Sequence, residues 1–132
     1  MNAMTLTRLR RRLRGDRGST TVEMVGFWAV KLLAWLLVVQ AAVWGLAVLA
    51  CMYAANHAVQ VTRIDGGSTA AGRSDAIVVL DLLGPMVTDR QAAASRNATT
   101  ATVSVSGNAL RVIPFVTLPV QASATGPVER IG

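Results

Sequence analysis

From Gly18 to Ala55 the chain reads GSTTVEMVGFWAVKLLAWLLVVQAAVWGLAVLACMYAA, and Glu23 and Lys31 are its only charged residues. After Lys31 no charge appears until Arg63. Such a run makes about nine turns of helix. It is too long and too clean to be hidden inside a small domain, and it reads as a transmembrane helix. The charges suggest where the hydrocarbon begins. With the boundary near Lys31, the segment Leu32 to Ala54 spans about 34 Å, a fit to a bilayer. Glu23 and Lys31 then mark the cytoplasmic interface, and Trp28 and Trp35 fall in the aromatic belt. Gln40 is left inside the span, where its amide is expected to hydrogen-bond a neighbouring helix.

With 132 residues in all, the helix leaves fewer than seventy for anything globular. A domain of that size has a modest core and is marginal alone. The formal net charge of +6 does not describe that domain. Arg8, Arg10, Arg11, Arg12, Arg14 and Arg17, offset by Asp16, give +5 to residues 1–18, and the rest carries +1. A basic face would point to nucleic acid. A basic run abutting a membrane span points to topology: it holds the N-terminus in the cytoplasm, beside anionic headgroups. No nucleic-acid partner is expected. Residues 1–18 form a basic leader, outside the fold. An ordinary secretory signal is excluded, because its apolar region runs only about 7–15 residues.

Beyond the bilayer the helix is expected to continue to Asp65, where Asp65-Gly66-Gly67 supplies a stop. Residues 66–98 read as loop and short helical linker. Ser74 caps a helix that opens with Asp75 and ends at Gly84-Pro85. Thr88 to Gln91 has the form of a capping box, so QAAASR adds a helical turn. Residues 99–132 read as a small antiparallel β region. Ala101, Val103 and Val105 alternate with Thr102, Ser104 and Ser106, and Gly107-Asn108 fits a two-residue hairpin turn. That turn pairs Val105 with Leu110 and Val103 with Val112. A third strand places Val120, Ala122 and Ala124 inward. The expected class is α+β: a long N-terminal transmembrane helix, then a small extracytoplasmic domain with a short helix and a three-stranded antiparallel meander. The outer part of the long helix is the natural cover for the apolar face of the sheet.

No catalytic set is visible. The acids Glu23, Asp65, Asp75, Asp81, Asp89 and Glu129 form no recognisable pair or motif. His57 has no companion nucleophile at a telling spacing, and Cys51 reads as a small apolar helix residue rather than an intersubunit bridge. Nothing has metal-ligand spacing, and no cofactor or enzymatic activity is expected.

One constellation does carry chemistry. In RGDRG-STTVE a glycine precedes a small residue, five positions before a lone acid, at the mouth of an apolar helix. This resembles the cleavage site of type IV prepilin-like proteins. The resemblance implies that a membrane-embedded prepilin peptidase cuts between Gly18 and Ser19 on the cytoplasmic side. It further implies that Glu23, at the fifth mature position, faces the N-terminal amine of a neighbouring subunit during assembly. The form GSTTVEMVGFW, the long helix, the short linker, the small strands and the ending ASATGPVE are similar to TadE-like pseudopilins. These are minor subunits of tight-adherence (Flp) pilus systems, including those of high-GC Gram-positive bacteria. The likeness covers Gly15 to about Tyr53 well and Thr99 to Glu129 loosely. It departs at Met24 and at Trp28-Ala29-Val30-Lys31, where the family often has a larger apolar residue and an early proline. The implied function is that of a pilus-assembly component at the cell membrane. Its implied partners are the peptidase, other pilin or pseudopilin subunits, assembly-platform proteins and the lipid bilayer.

A second reading is an unprocessed single-pass anchor displaying a small binding module, with Glu23 simply favourable at the positive end of the helix dipole. Both readings share one topology. We predict that a reporter active only outside the cytoplasm works when fused after Gly132; activity only when it is fused before Met1 would reverse the assignment.

Overall fold

The computed structural model describes residues 3–130, with side chains from Thr20 onward. Its elements are α1 (Ala3–Arg63), α2 (Thr69–Leu83), β1 (Val87–Arg96), β2 (Thr100–Ala109) and β3 (Pro119–Pro127). This is the expected α+β class, with a long apolar helix, a short helix and a three-stranded antiparallel sheet. The chain divides into two compact units, the first closing at Val38 and the second opening at Val39.

The first unit is helix alone. Its backbone is already helical at Ala3, before the Gly18 boundary expected from composition. Val22, Phe27, Trp28, Leu32 and Trp35 are all more than half exposed. Side chains this apolar and this exposed are compatible with a lipid-facing segment. The helix is long and apolar enough to cross a membrane from Thr20 onward.

In the second unit the same helix changes its role. Gln40, Ala47, Ala50, Cys51, Ala54, Ala55, Ala58, Val59 and Thr62 are buried, at the three- and four-residue spacing of one helical stripe. They join Ala76, Val79 and Leu80 of α2 and the inward residues of the sheet in one core. The outer half of α1 is therefore the cover that the apolar sheet face requires. This conflicts with a span running from Leu32 to Ala54. Residues 47–54 lie under a domain whose outer sheet face carries Thr102, Ser104, Gln121, Ser123 and Thr125. Those polar groups cannot enter hydrocarbon.

The sheet has the order β1-β2-β3, with β2 central. Val103 lies between Ala94 and Ala124, and Val105 between Ala92 and Ala122. Ala101, Val103, Val105, Val120, Ala122 and Ala124 face inward, as the period-2 alternation requires. On the other face the Thr102 and Thr125 hydroxyls meet at 3.0 Å.

Three local expectations are corrected. First, Gly107-Asn108 is not a hairpin turn. Both residues lie inside β2, and Leu110 to Leu118 form a connection rather than a strand, so Val103 does not pair with Val112. The glycine serves a different need. A Cβ at Gly107 would come within 2.6 Å of the Thr88 carbonyl oxygen and of Val87 Cγ1, so it permits a close approach of β1. The true hairpin turn is Asn97 to Thr99, where Asn97 Oδ1 accepts from the amides of Thr99 at 2.9 Å and Thr100 at 2.7 Å. Second, Thr88 to Arg96 is strand β1, not a helical turn. Asp89, at φ 50°, sits in the irregularity between Thr88 and Gln91. Third, the cap of α2 is Ser68, whose Oγ accepts from the Ala71 amide at 3.1 Å; Ser74 lies inside the helix. Gly72 belongs to α2 because a side chain there would overlap Thr62 of α1. The stop at Gly84, with φ 94°, is as expected.

Two arginines of β1 finish both helices. Arg96 Nη1 donates to the Thr62 carbonyl at 3.0 Å and also to that of Gly67. Arg90 donates to the Gly84 carbonyl at 3.0 Å and pairs with Asp81. Cations and donors at helix C-termini satisfy carbonyls that have no helical partner.

The register makes a direct prediction. Val103→Asp places an unpaired charge in the centre of the core and should lower unfolding free energy by about 3 kcal/mol or more. Ser123→Asp, on the wet face, should change it by about 0.5 kcal/mol at most. Urea unfolding of the full chain in detergent micelles measures both, and equal losses would refute the assignment of the two faces.

Candidate functional site

The two residues of the expected processing site, Gly18 and Ser19, lie within the helical backbone of α1. Their side chains lie outside the described residues. Four residues on, Glu23 is exposed on the first unit, and no hydrogen bond or ion pair reaches its carboxylate among the described residues. It is the one acid of the bare helix segment from Thr20 to Val39.

Lys31 is placed differently. Its ammonium lies 5.3 Å from the ring centroids of both Phe27 and Trp28, one turn back along the helix. The two rings meet edge to face at 6.4 Å and 77°. They shelter the charge by cation–π attraction, typically about 0.5–2 kcal/mol for each ring. Glu23 and Lys31 are about 12 Å apart along the axis, so the structure does not bring them together.

In the second unit the polar residue singled out within the apolar run has an intramolecular task. Gln40 is only 4% exposed. Its Nε2 donates to the Leu110 carbonyl at 3.1 Å, and its Oε1 accepts from the amides of Val112 at 2.8 Å and Ile113 at 3.1 Å. It binds the β2–β3 connection, not another helix. Sequence reasoning marked Gln40 as unusual but had no means of naming a partner seventy residues away.

Further along α1, His57 Nδ1 lies 2.6 Å from Asp75 Oδ2, joining α1 to α2. The Tyr53 ring lies beside His57, with ring centroids 6.4 Å apart. Cys51 is fully buried among small residues and is not available for a bridge. Among the described residues no group of three or more His, Cys, Asp or Glu could hold a metal ion. A mainly apolar concavity of about 590 Å³ is lined by Leu46, Leu49, Ala50, Met52, Tyr53, Leu83 and Met86. It is an open surface groove whose one polar side chain is Tyr53, so it suits apolar contact.

Comparison of the chain with known proteins matched no protein family, no curated protein and no solved structure.

The Gln40 clamp can be tested alone. Gln40→Leu removes one donor and one acceptor and leaves the amides of Val112 and Ile113 and the carbonyl of Leu110 without these partners. We expect a loss of about 1–3 kcal/mol and faster amide exchange confined to residues 110–116. Unchanged exchange there would show that the connection is held by other contacts.

Proposed function

We propose that the chain is a pseudopilin-like subunit that a prepilin peptidase trims between Gly18 and Ser19 and that then acts in assembling a tight-adherence type of pilus or secretion system. The observation that carries this reading is the division of labour along α1. From Thr20 to Val38 its apolar side chains are mostly exposed, and from Gln40 a stripe of its residues builds the core of a small α+β domain. A subunit that must pass from bilayer to filament needs such a helix, with one half free to exchange lipid for neighbouring helices. The sequence RGDRG-STTVE adds a removable basic leader at the free end.

On this reading the membrane segment is about Thr20 to Val39. It is about 30 Å long, which matches the hydrocarbon thickness. Lys31 then lies inside the span, where an ionisable group is expensive and functional by default. Phe27 and Trp28 lessen that cost while the subunit is in lipid. Glu23 lies nearer the cytoplasmic end and about one turn from the amine that cleavage would create on Ser19. A neighbour shifted along the axis brings that amine to the carboxylate. The cut also removes +5 of the formal +6 charge, which lowers the attraction to anionic lipid.

Beyond Gln40, several large apolar side chains of α1 stay open. Trp44, Leu46, Leu49, Met52 and Tyr53 are 44–60% exposed. A patch of that kind on a domain this small is a contact surface rather than ordinary exposure.

The test is the mass of the protein isolated from its own cells. We predict a chain beginning at Ser19 when the peptidase is present, and the full chain for Gly18→Leu. Glu23→Ala should be cleaved normally yet fail to co-purify with the assembled structure. Recovery of the uncut chain alongside an active peptidase would eliminate the pseudopilin reading and leave a plain membrane-anchored module.

A further inference from the structure

The connection from Leu110 to Leu118 reads LRVIPFVTL, and it is unlike the other loops of the domain. At its tip Phe115 is 100% exposed, with a backbone φ of 70°. A large apolar side chain at a positive φ costs free energy in isolation. The rest of the loop does not relax around it. Its base is closed by the Ala109 amide donating to the Leu118 carbonyl at 2.9 Å, and by the Leu110 amide donating to Met86 at the same distance. The tip is folded by the Val116 amide donating to Ile113. The Gln40 side chain satisfies two more amides and a carbonyl.

The result is an apolar tip on a held backbone: the amides of Val112, Ile113 and Val116 have partners in the chain, and Pro114 contributes no N–H at all. At headgroup depth the other backbone groups of the tip can still meet water, so only the Phe115 side chain has to enter hydrocarbon. Its position is set by the clamp. Gln40 directly follows Val39, so the clamp holds the loop to α1 at the start of the second unit. Arg111 is exposed near the base of the loop, and no carboxylate occurs in the sequence between Asp89 and Glu129. A guanidinium beneath an apolar tip suits the phosphates of lipid headgroups.

We propose that the loop Val112–Val116 is a second membrane contact, which inserts Phe115 into the outer leaflet while Arg111 meets the headgroups. The inference rests on the membrane-anchored reading of α1. It assigns the Gln40 clamp a purpose: it couples the seating of the domain on the bilayer to the point where the helix emerges. Release of the subunit from lipid then requires the tip to withdraw as well as the helix.

The experiment uses the full chain in a Cys51→Ala background. Phe115→Cys is labelled with an environment-sensitive fluorophore and reconstituted into phosphatidylethanolamine–phosphatidylglycerol bilayers. The matched control is Ser123→Cys, on the polar face of the sheet. At position 115 we expect blue-shifted emission, quenching by lipid-borne nitroxides at headgroup depth and loss of quenching by iodide. At position 123 we expect the reverse. Adding Gln40→Leu should return the label at 115 toward the aqueous signal. If the protein floats with vesicles but position 115 is as water-exposed as position 123, the proposal is overturned and the anchored reading stands. If the label is shielded only when several chains share one nanodisc, the tip contacts a second copy, and the lipid proposal is overturned. Failure of the protein to float with vesicles would remove the anchored reading itself and this inference with it.

Discussion

Everything in the second unit depends on how closely the sheet and α2 approach α1. The stripe that α1 turns inward is made almost entirely of small residues: Ala47, Ala50, Cys51, Ala54, Ala55 and Ala58, with Val59 and Thr62 at its end. Small side chains bring backbones together and let a thin sheet of Val and Ala rest on a helix without voids. The same requirement appears on the partner elements. Gly72 of α2 meets Thr62, and the central β2 offers Val103 and Val105 where both neighbouring strands offer Ala. Large residues therefore alternate with small ones across the sheet. A domain this size has no area to spare, and its core works by fit rather than bulk.

That economy explains why the ends of elements are fixed by polar side chains from elsewhere. Arg90 and Arg96 of β1 complete the carbonyl ends of α2 and α1. Gln40 fixes the longest irregular stretch, and Arg63 reaches Glu129 at 3.7 Å near the end of the described chain. In the other direction, the Glu129 amide donates to the Arg63 carbonyl at 2.9 Å. Most of these bonds join residues distant in sequence. Each is worth about 0.5–1.5 kcal/mol, but a buried group left without one costs more. Geometry, more than net energy, is what they supply.

The first unit obeys different physics. From Thr20 to Val38 its apolar side chains are mostly exposed, and Glu23 and Lys31 are the two charges of that stretch. Glu23 has no partner among the described residues, whereas Lys31 carries two aromatic rings with it. A helix of this kind takes its environment from outside the chain.

The sequence by itself determined the long helix, the stop at Gly84-Pro85, the α+β class and the inward set Ala101, Val103, Val105, Val120, Ala122 and Ala124. These follow from hydropathy and local periodicity, which need no knowledge of partners. Gly18, Ser19 and Glu23 were singled out by the likeness of RGDRG-STTVE to a prepilin cleavage site, which is a matter of sequence alone. Tertiary structure alone decided the rest. QAAASR has helix-favouring alanines and a capping pattern, yet it is a strand because β2 offers an unpaired edge whose inward valines need small neighbours. Gly107-Asn108 has the letters of a turn, yet it stays in the strand because β1 passes too close for any side chain at Gly107. Gln40 looked like a residue for another helix, and a loop seventy residues later took both ends of its amide. Local signals are degenerate wherever a glycine, an alanine or an amide can serve two roles, and only the partner that arrives from a distance selects between them.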